Sequence, residues 1–150
     1  MLSGQGEEAQ GLLEIRPRGS LSALERPLRV LVVDDDASTR AGVGYYLREM
    51  EAPATVVGEA GDGPEAIERA RALHPDLVIM DARMRGMSGF AATRVIREDL
   101  PETQVVILSL YDDEFARADA ELAGALDFVA KTDLPALSEV IARVHAQLLS

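Results

Sequence analysis

Four apolar runs punctuate the chain, and each ends on a polar group. Val30-Leu31-Val32-Val33 runs into Asp34-Asp35-Asp36, and Leu77-Val78-Ile79-Met80 into Asp81. Val105-Val106-Ile107-Leu108 runs into Ser109, and Leu126-Asp127-Phe128-Val129-Ala130 into Lys131. Runs this continuous are expected of strands buried on both faces. With the shorter apolar stretch at 55–60, they predict strands over 28–33, 55–60, 76–80, 104–108 and 126–130.

Between the strands the apolar spacing changes to that of a helix. Val43, Leu47 and Met50 mark the inner face of a first helix, weakened by Gly42 and Gly44 at about 1 kcal/mol each against alanine. Asp62-Gly63-Pro64-Glu65 reads as a helix start, with Ile67, Ala70 and Leu73 inward and His74-Pro75 as the stop. Ser88 caps a third helix that buries Ala92, Ile96 and Leu100 before Pro101 ends it. A short fourth helix over 113–122 places Phe115, Ala118 and Leu122 on one side and closes at Gly124. The last helix, about 134–148, carries Leu137, Val140, Ile141, Val144 and Leu148 as one stripe.

Five strand–helix units in about 123 residues imply an α/β fold, a parallel sheet with helices on both faces. In such sheets ligands bind beyond the carboxyl ends of the strands. The polar groups that end the four runs lie there.

Residues 1–27 differ from the rest: four glycines and no sustained period, read as a disordered N-terminal arm before a domain over 28–150. The net charge of −11 argues against a nucleic-acid surface, which needs clustered Lys and Arg. No apolar stretch approaches the length of a membrane span. There is no cysteine, and Glu7 and Glu8 stand where a signal peptide would carry positive charge. A cytoplasmic protein is expected.

Fourteen of the fifteen basic residues are arginine, and Lys131 is the lone lysine. Its place at the end of the fifth apolar run makes it a candidate anion contact. One aspartate of Asp34-Asp35-Asp36 is explained as a helix cap. Three in a row is costly, since two charges ~4 Å apart repel by about 4 kcal/mol at an effective dielectric of 20. A divalent cation would relieve that repulsion. Asp81, after a fully apolar strand, is a candidate nucleophilic carboxylate. Ser109 draws its weight from its neighbours. His74 and His145 show no metal-ligand spacing and are expected at the surface.

The ordered set VLVVDDD, LVIMD-ArgMetArgGlyMet-SerGly, VVILS and DFVAK resembles the receiver domain of two-component response regulators, over about 28–148. The stretches VVGEAGDGPEAI and LSLYDD resemble the subgroup usually joined to a LuxR/NarL-type helix-turn-helix output domain. The resemblance implies a flavodoxin-like sheet of order 2-1-3-4-5. It implies that Asp81 takes a phosphoryl group from a sensor histidine kinase or phosphotransfer protein. Mg²⁺ would be held by Asp34, Asp35, Asp81 and the Arg83 carbonyl, and Lys131 would contact the phosphoryl oxygens. Ser109 and Phe128 would form the switch, Arg83 and Tyr111 would modulate rates, and the face of the fourth helix, fifth strand and fifth helix would respond. That face is also the one expected to support a homodimer. By the same resemblance the chain is no enzyme beyond its own phosphorylation and dephosphorylation. It binds no nucleic acid and no membrane itself.

Three positions depart from the family: Arg85 and Thr132 stand where proline is common, and Leu110 where a small residue is. Two other readings remain. Asp34-x-Asp36-x-Ser38 also resembles the nucleophile motif of haloacid-dehalogenase-type phosphatases. A receiver fold that never cycles phosphate and serves as a docking module is the other.

Overall fold

The computed structural model describes residues 26–148. Strands and helices alternate: β1 Leu28–Val33, α1 Ala37–Glu49, β2 Ala54–Ala60, α2 Gly63–Leu73, β3 Leu77–Asp81, α3 Gly89–Asp99, β4 Gln104–Ser109, α4 Glu114–Ala123, β5 Asp127–Ala130 and α5 Leu134–Gln147. Every strand pairing is parallel, in the order β2-β1-β3-β4-β5. This is the doubly wound sheet the alternation predicts. The order reverses between β1 and β3, which opens a crevice at their carboxyl ends.

Each central strand divides its side chains between two cores, as a period of two requires. Leu31, Val33, Val78, Met80, Val105, Ile107 and Phe128 meet α2, α3 and α4. Val30, Val32, Leu77, Ile79, Val106, Leu108 and Val129 meet α1 and α5. Because both faces are covered, β3 is buried at all five positions, as its unbroken apolar run anticipated.

The helices start where short polar side chains satisfy otherwise unpaired backbone N–H groups. Asp36 accepts from the Ser38 N–H, Asp62 from Glu65, Ser88 from Ala91, Asp113 from Ala116 and Asp133 from Ala136. α4 closes on Gly124, whose φ of 96° lies in the region that favours glycine. The two glycines of α1 do not break it: Gly44 is buried and Gly42 faces open space.

Four expectations need correction. The fourth helix does not bury Phe115, Ala118 and Leu122; its inner face is Ala116, Ala120 and Ala123, and Phe115 and Leu122 are each 77% exposed. The stripe is turned by one residue, because the cap at Asp113 and the nearness of β5 fix the helix rotation, and only small side chains fit beneath it. Met50 is the C-cap of α1 and exposed, since the chain has left the sheet by then. His145 is part-buried, its Nε2 2.9 Å from the Arg26 carbonyl. β3 and β4 each run one residue further than expected, so Asp81 and Ser109 belong to the sheet. Residues 1–25, most of the expected N-terminal arm, lie outside the described residues. Arg26, assigned to that arm, reaches Asp76 at 3.3 Å. Among the described residues no helix is long and apolar enough to cross a membrane.

Candidate functional site

Since β1, β3, β4 and β5 are consecutive in the sheet, Asp34, Asp81, Ser109 and Lys131 come side by side at its carboxyl edge. Ladder pairing sets them: Asp81 lies opposite Leu108, and Ser109 opposite Ala130. The Lys131 N–H donates to the Ser109 carbonyl at 2.7 Å. A cleft of about 220 Å³ opens above, lined by Asp35, Asp81, Arg83, Ser109, Tyr111 and Lys131 among others.

The Lys131 ammonium bridges two carboxylates, 2.8 Å from Asp34 Oδ2 and 3.3 Å from Asp81 Oδ1. Asp34 and Asp81 are nearly inaccessible, while Asp35 is exposed. One carboxylate oxygen from each of Asp34, Asp35 and Asp81 lies within 4.8 Å of the others. One ammonium therefore faces three carboxylates. Burial, and then the charge of Asp34, push the Asp81 carboxyl above its ordinary value, against the opposing pull of Lys131. For Lys131 burial is the largest influence and lowers its pKa, but the hydrogen bond to Asp34 and the charges of both carboxylates outweigh it and the net shift is upward.

Asp36 takes no part in the cluster. Its Oδ1 accepts from both the Ser38 N–H and the Ser38 hydroxyl, at 2.9 and 2.7 Å. Asp36 is thus the helix cap, while Asp34 and Asp35 gather with Asp81.

Ser109 and Phe128 share a strand parity and project towards α3 and α4. The Ser109 hydroxyl is occupied by its own loop, accepting from the Tyr111 N–H at 3.1 Å and donating to the Tyr111 carbonyl at 3.3 Å. Arg83 lies over the Tyr111 ring, 5.1 Å from its centroid, at the mouth of the cleft.

Two contributors escaped the sequence reading. Arg40 donates to the Asp34 carbonyl at 2.6 Å and to Glu59 at 2.8 Å, which fixes the end of β1. Among fourteen arginines nothing in the sequence distinguishes it. Gly89 begins α3 directly against β3, donating to the Ala82 carbonyl at 2.9 Å. A Cβ there would collide with the Asp81 carbonyl oxygen. Gly89→Ala is therefore expected to cost about 3 kcal/mol as the helix start is forced off the strand. Urea denaturation checks this, and an unchanged midpoint would show that the contact is soft.

The response regulator receiver domain model matches residues 30–142. Among curated proteins, the response regulator protein VraR of Staphylococcus saprophyticus is 44% identical over 94 residues, covering 61% of this chain and 44% of VraR. The transcriptional regulatory protein LiaR of Bacillus subtilis is 36% identical over 105 residues, covering 70% and 49%. The chain thus spans about half the length of these relatives. Among solved structures, a LuxR-family two-component response regulator from Aurantimonas superposes with a TM-score of 0.74 at 33% identity, covering 81% of this chain and 86% of that one. The response regulator domain of Thermotoga maritima CheB superposes with a TM-score of 0.72 at 32% identity, covering 81% and 98%.

Proposed function

The chain belongs to the response regulator receiver domain family of two-component signalling, and from that premise we propose that Asp81 is the phosphoacceptor, supplied by a sensor histidine kinase or a phosphotransfer protein. One observation carries the reading. The only lysine of the chain reaches both Asp34 and Asp81 across 97 and 50 residues of sequence, beside a third carboxylate, Asp35, that forms no ion pair among the described residues.

Hard oxygen donors that leave negative charge unbalanced fit Mg²⁺, which takes few protein carboxylates and keeps water and phosphate oxygens. Asp34, Asp35, Asp81 and the Arg83 carbonyl would hold it. When bound it neutralises charge on the carboxylates and the incoming phosphoryl oxygens, the main demand of phosphoryl transfer.

The chain's own residues supply the rest. An Asp81 carboxylate oxygen attacks phosphorus, and the donor's phosphorus–nitrogen bond breaks. Lys131, already 3.3 Å from Asp81, offers its remaining protons to the phosphoryl oxygens. Ser109 leaves Tyr111 for the phosphoryl group, and Phe128 answers on the α4 side. Arg83 and Tyr111, stacked at the mouth of the cleft, regulate the access of water and so the lifetime of the acyl phosphate. The responding face is α4, β5 and α5, where exposed Phe115 and Leu122 would support a homodimer. In this reading the chain acts in the cytoplasm, catalyses only its own phosphorylation and dephosphorylation, and contacts no nucleic acid or membrane itself. Acetyl phosphate with Mg²⁺ tests it: wild type should gain one phosphoryl group and Asp81→Asn none.

Asp35→Asn is expected to weaken Mg²⁺ binding at least tenfold, because among the described residues the exposed carboxylate has no ion-pair or hydrogen-bond partner to hold it otherwise. Titration followed by NMR shifts of the carboxyl-edge amides checks this. Equal affinity in both proteins would remove Asp35 from the ligand set.

A further inference from the structure

Phe128 is buried, with one ring face covered by a cation. The Arg117 guanidinium of α4 lies 4.9 Å from the centroid of that ring. The same guanidinium is gripped by Asp112 in a fork, Nε to Oδ1 at 2.6 Å and Nη2 to Oδ2 at 2.9 Å. Asp112 is free for this because the adjacent Asp113 serves as the α4 cap. Asp127, a second acid whose charge acts on Arg117, is committed to Arg143 at 2.6 Å. A planar guanidinium can grip a carboxylate at its edge and stack on a ring with its face at once, which an ammonium cannot.

Asp112 stands three residues after Ser109, and the intervening loop is held by the two hydrogen bonds between the Ser109 hydroxyl and the Tyr111 backbone. Ser109, Asp112, Arg117 and Phe128 therefore form one relay from the site to α4. Beside the ring, a groove of about 300 Å³ separates α4 from β5, lined by Arg117, Ala120, Glu121 and Phe128 among others. The buried residues of α4 are all alanines, Ala116, Ala120 and Ala123. The ring has space to turn once the guanidinium lifts.

We propose that Asp112 and Arg117 form a clamp that holds Phe128 and α4 in the resting state, and that Arg117 is the positioning residue through which the ring's orientation and the position of α4 become one two-state element. The proposal rests on the phosphoacceptor reading above. A ligand that draws Ser109 towards Asp81 takes its hydroxyl from Tyr111 and frees the loop. Asp112 then loses its alignment with Arg117, and the ring and α4 are released together. The clamp works against activation, so removing it should shift the population towards the switched state.

The test uses the full chain labelled with 4-fluorophenylalanine. It has three phenylalanines, so Phe90→Leu and Phe115→Leu assign the Phe128 resonance by elimination. Arg117→Gln, Arg117→Lys and Asp112→Asn are expected to move and broaden that resonance before any ligand is added. Each should also tighten beryllofluoride binding in Mg²⁺ by about fivefold, the scale of one partly exposed cation–π contact. The double variant Asp112→Asn with Arg117→Gln should match the single variants, because both remove the same clamp. A Phe128 resonance unchanged in all three single variants would overturn the clamp while leaving the phosphoacceptor reading intact. So would additive effects in the double variant, or Arg117→Lys behaving as wild type. A wild-type protein that ignores beryllofluoride would overturn that reading, and the proposal with it.

Discussion

Asp81→Asn is expected to abolish phosphoryl uptake. Wild type with acetyl phosphate and Mg²⁺ should gain one base-labile phosphoryl group by intact mass, and the variant none. An amide is no nucleophile towards phosphorus, and among the described residues Asp34, the other buried carboxylate, is tied to Lys131 at 2.8 Å and to the Asp36 N–H at 2.9 Å. Equal labelling of the two proteins would move the acceptor elsewhere. The same substitution has a second signature in the absence of metal. Burial and Asp34 raise the Asp81 carboxyl above 3.8. A raised carboxyl contributes stability below its unfolded value and loses it as pH rises through its folded value. At neutral pH the ionised group opposes folding. Asp81→Asn should therefore melt higher than wild type in chelator, with the gap closing as pH falls through the raised folded value towards 3.8. A lower melting temperature at neutral pH would contradict the electrostatic account of the cluster.

Lys131→Arg is expected to separate phosphorylation from its consequence. The compact ammonium fits between two carboxylates at 2.8 and 3.3 Å. A guanidinium carries the same charge in a wide planar fork and spreads it away from the phosphoryl position. Uptake of a small donor should continue more slowly, while the signal should fail to reach α4. Amide exchange with and without beryllofluoride reads this directly. Wild type should change protection across residues 110–132, where α4 rests on Ala116, Ala120 and Ala123 and opens at little cost. The variant should not change. Identical responses would make Lys131 a solvated charge rather than the coupling residue.

Most of the fold was legible because both faces of the sheet are covered. Buried parallel strands must be apolar throughout, and the helix starts carry their own caps at Asp36, Asp62, Ser88, Asp113 and Asp133. The strand ends were legible for the same reason: a charged group directly after a buried strand lies at the sheet's edge. That placed Asp34, Asp81, Ser109 and Lys131 together before any distance was known.

What the sequence could not decide is anything set by rotation or by distant pairing. Phe115 and Leu122 look like an inner face because they are large, yet the space under α4 admits only alanine. The three aspartates look alike in a row, and only the path of the chain into α1 commits Asp36 to Ser38 and leaves Asp34 to Lys131. Arg117 reads as one more surface charge until α4 sets it on the Phe128 ring. Local sequence determined which residues end strands and which begin helices, because those depend on neighbours along the chain. The tertiary structure alone decided which carboxylate meets the lysine and which arginine meets the ring, because those contacts depend on how the helices are rotated against the sheet.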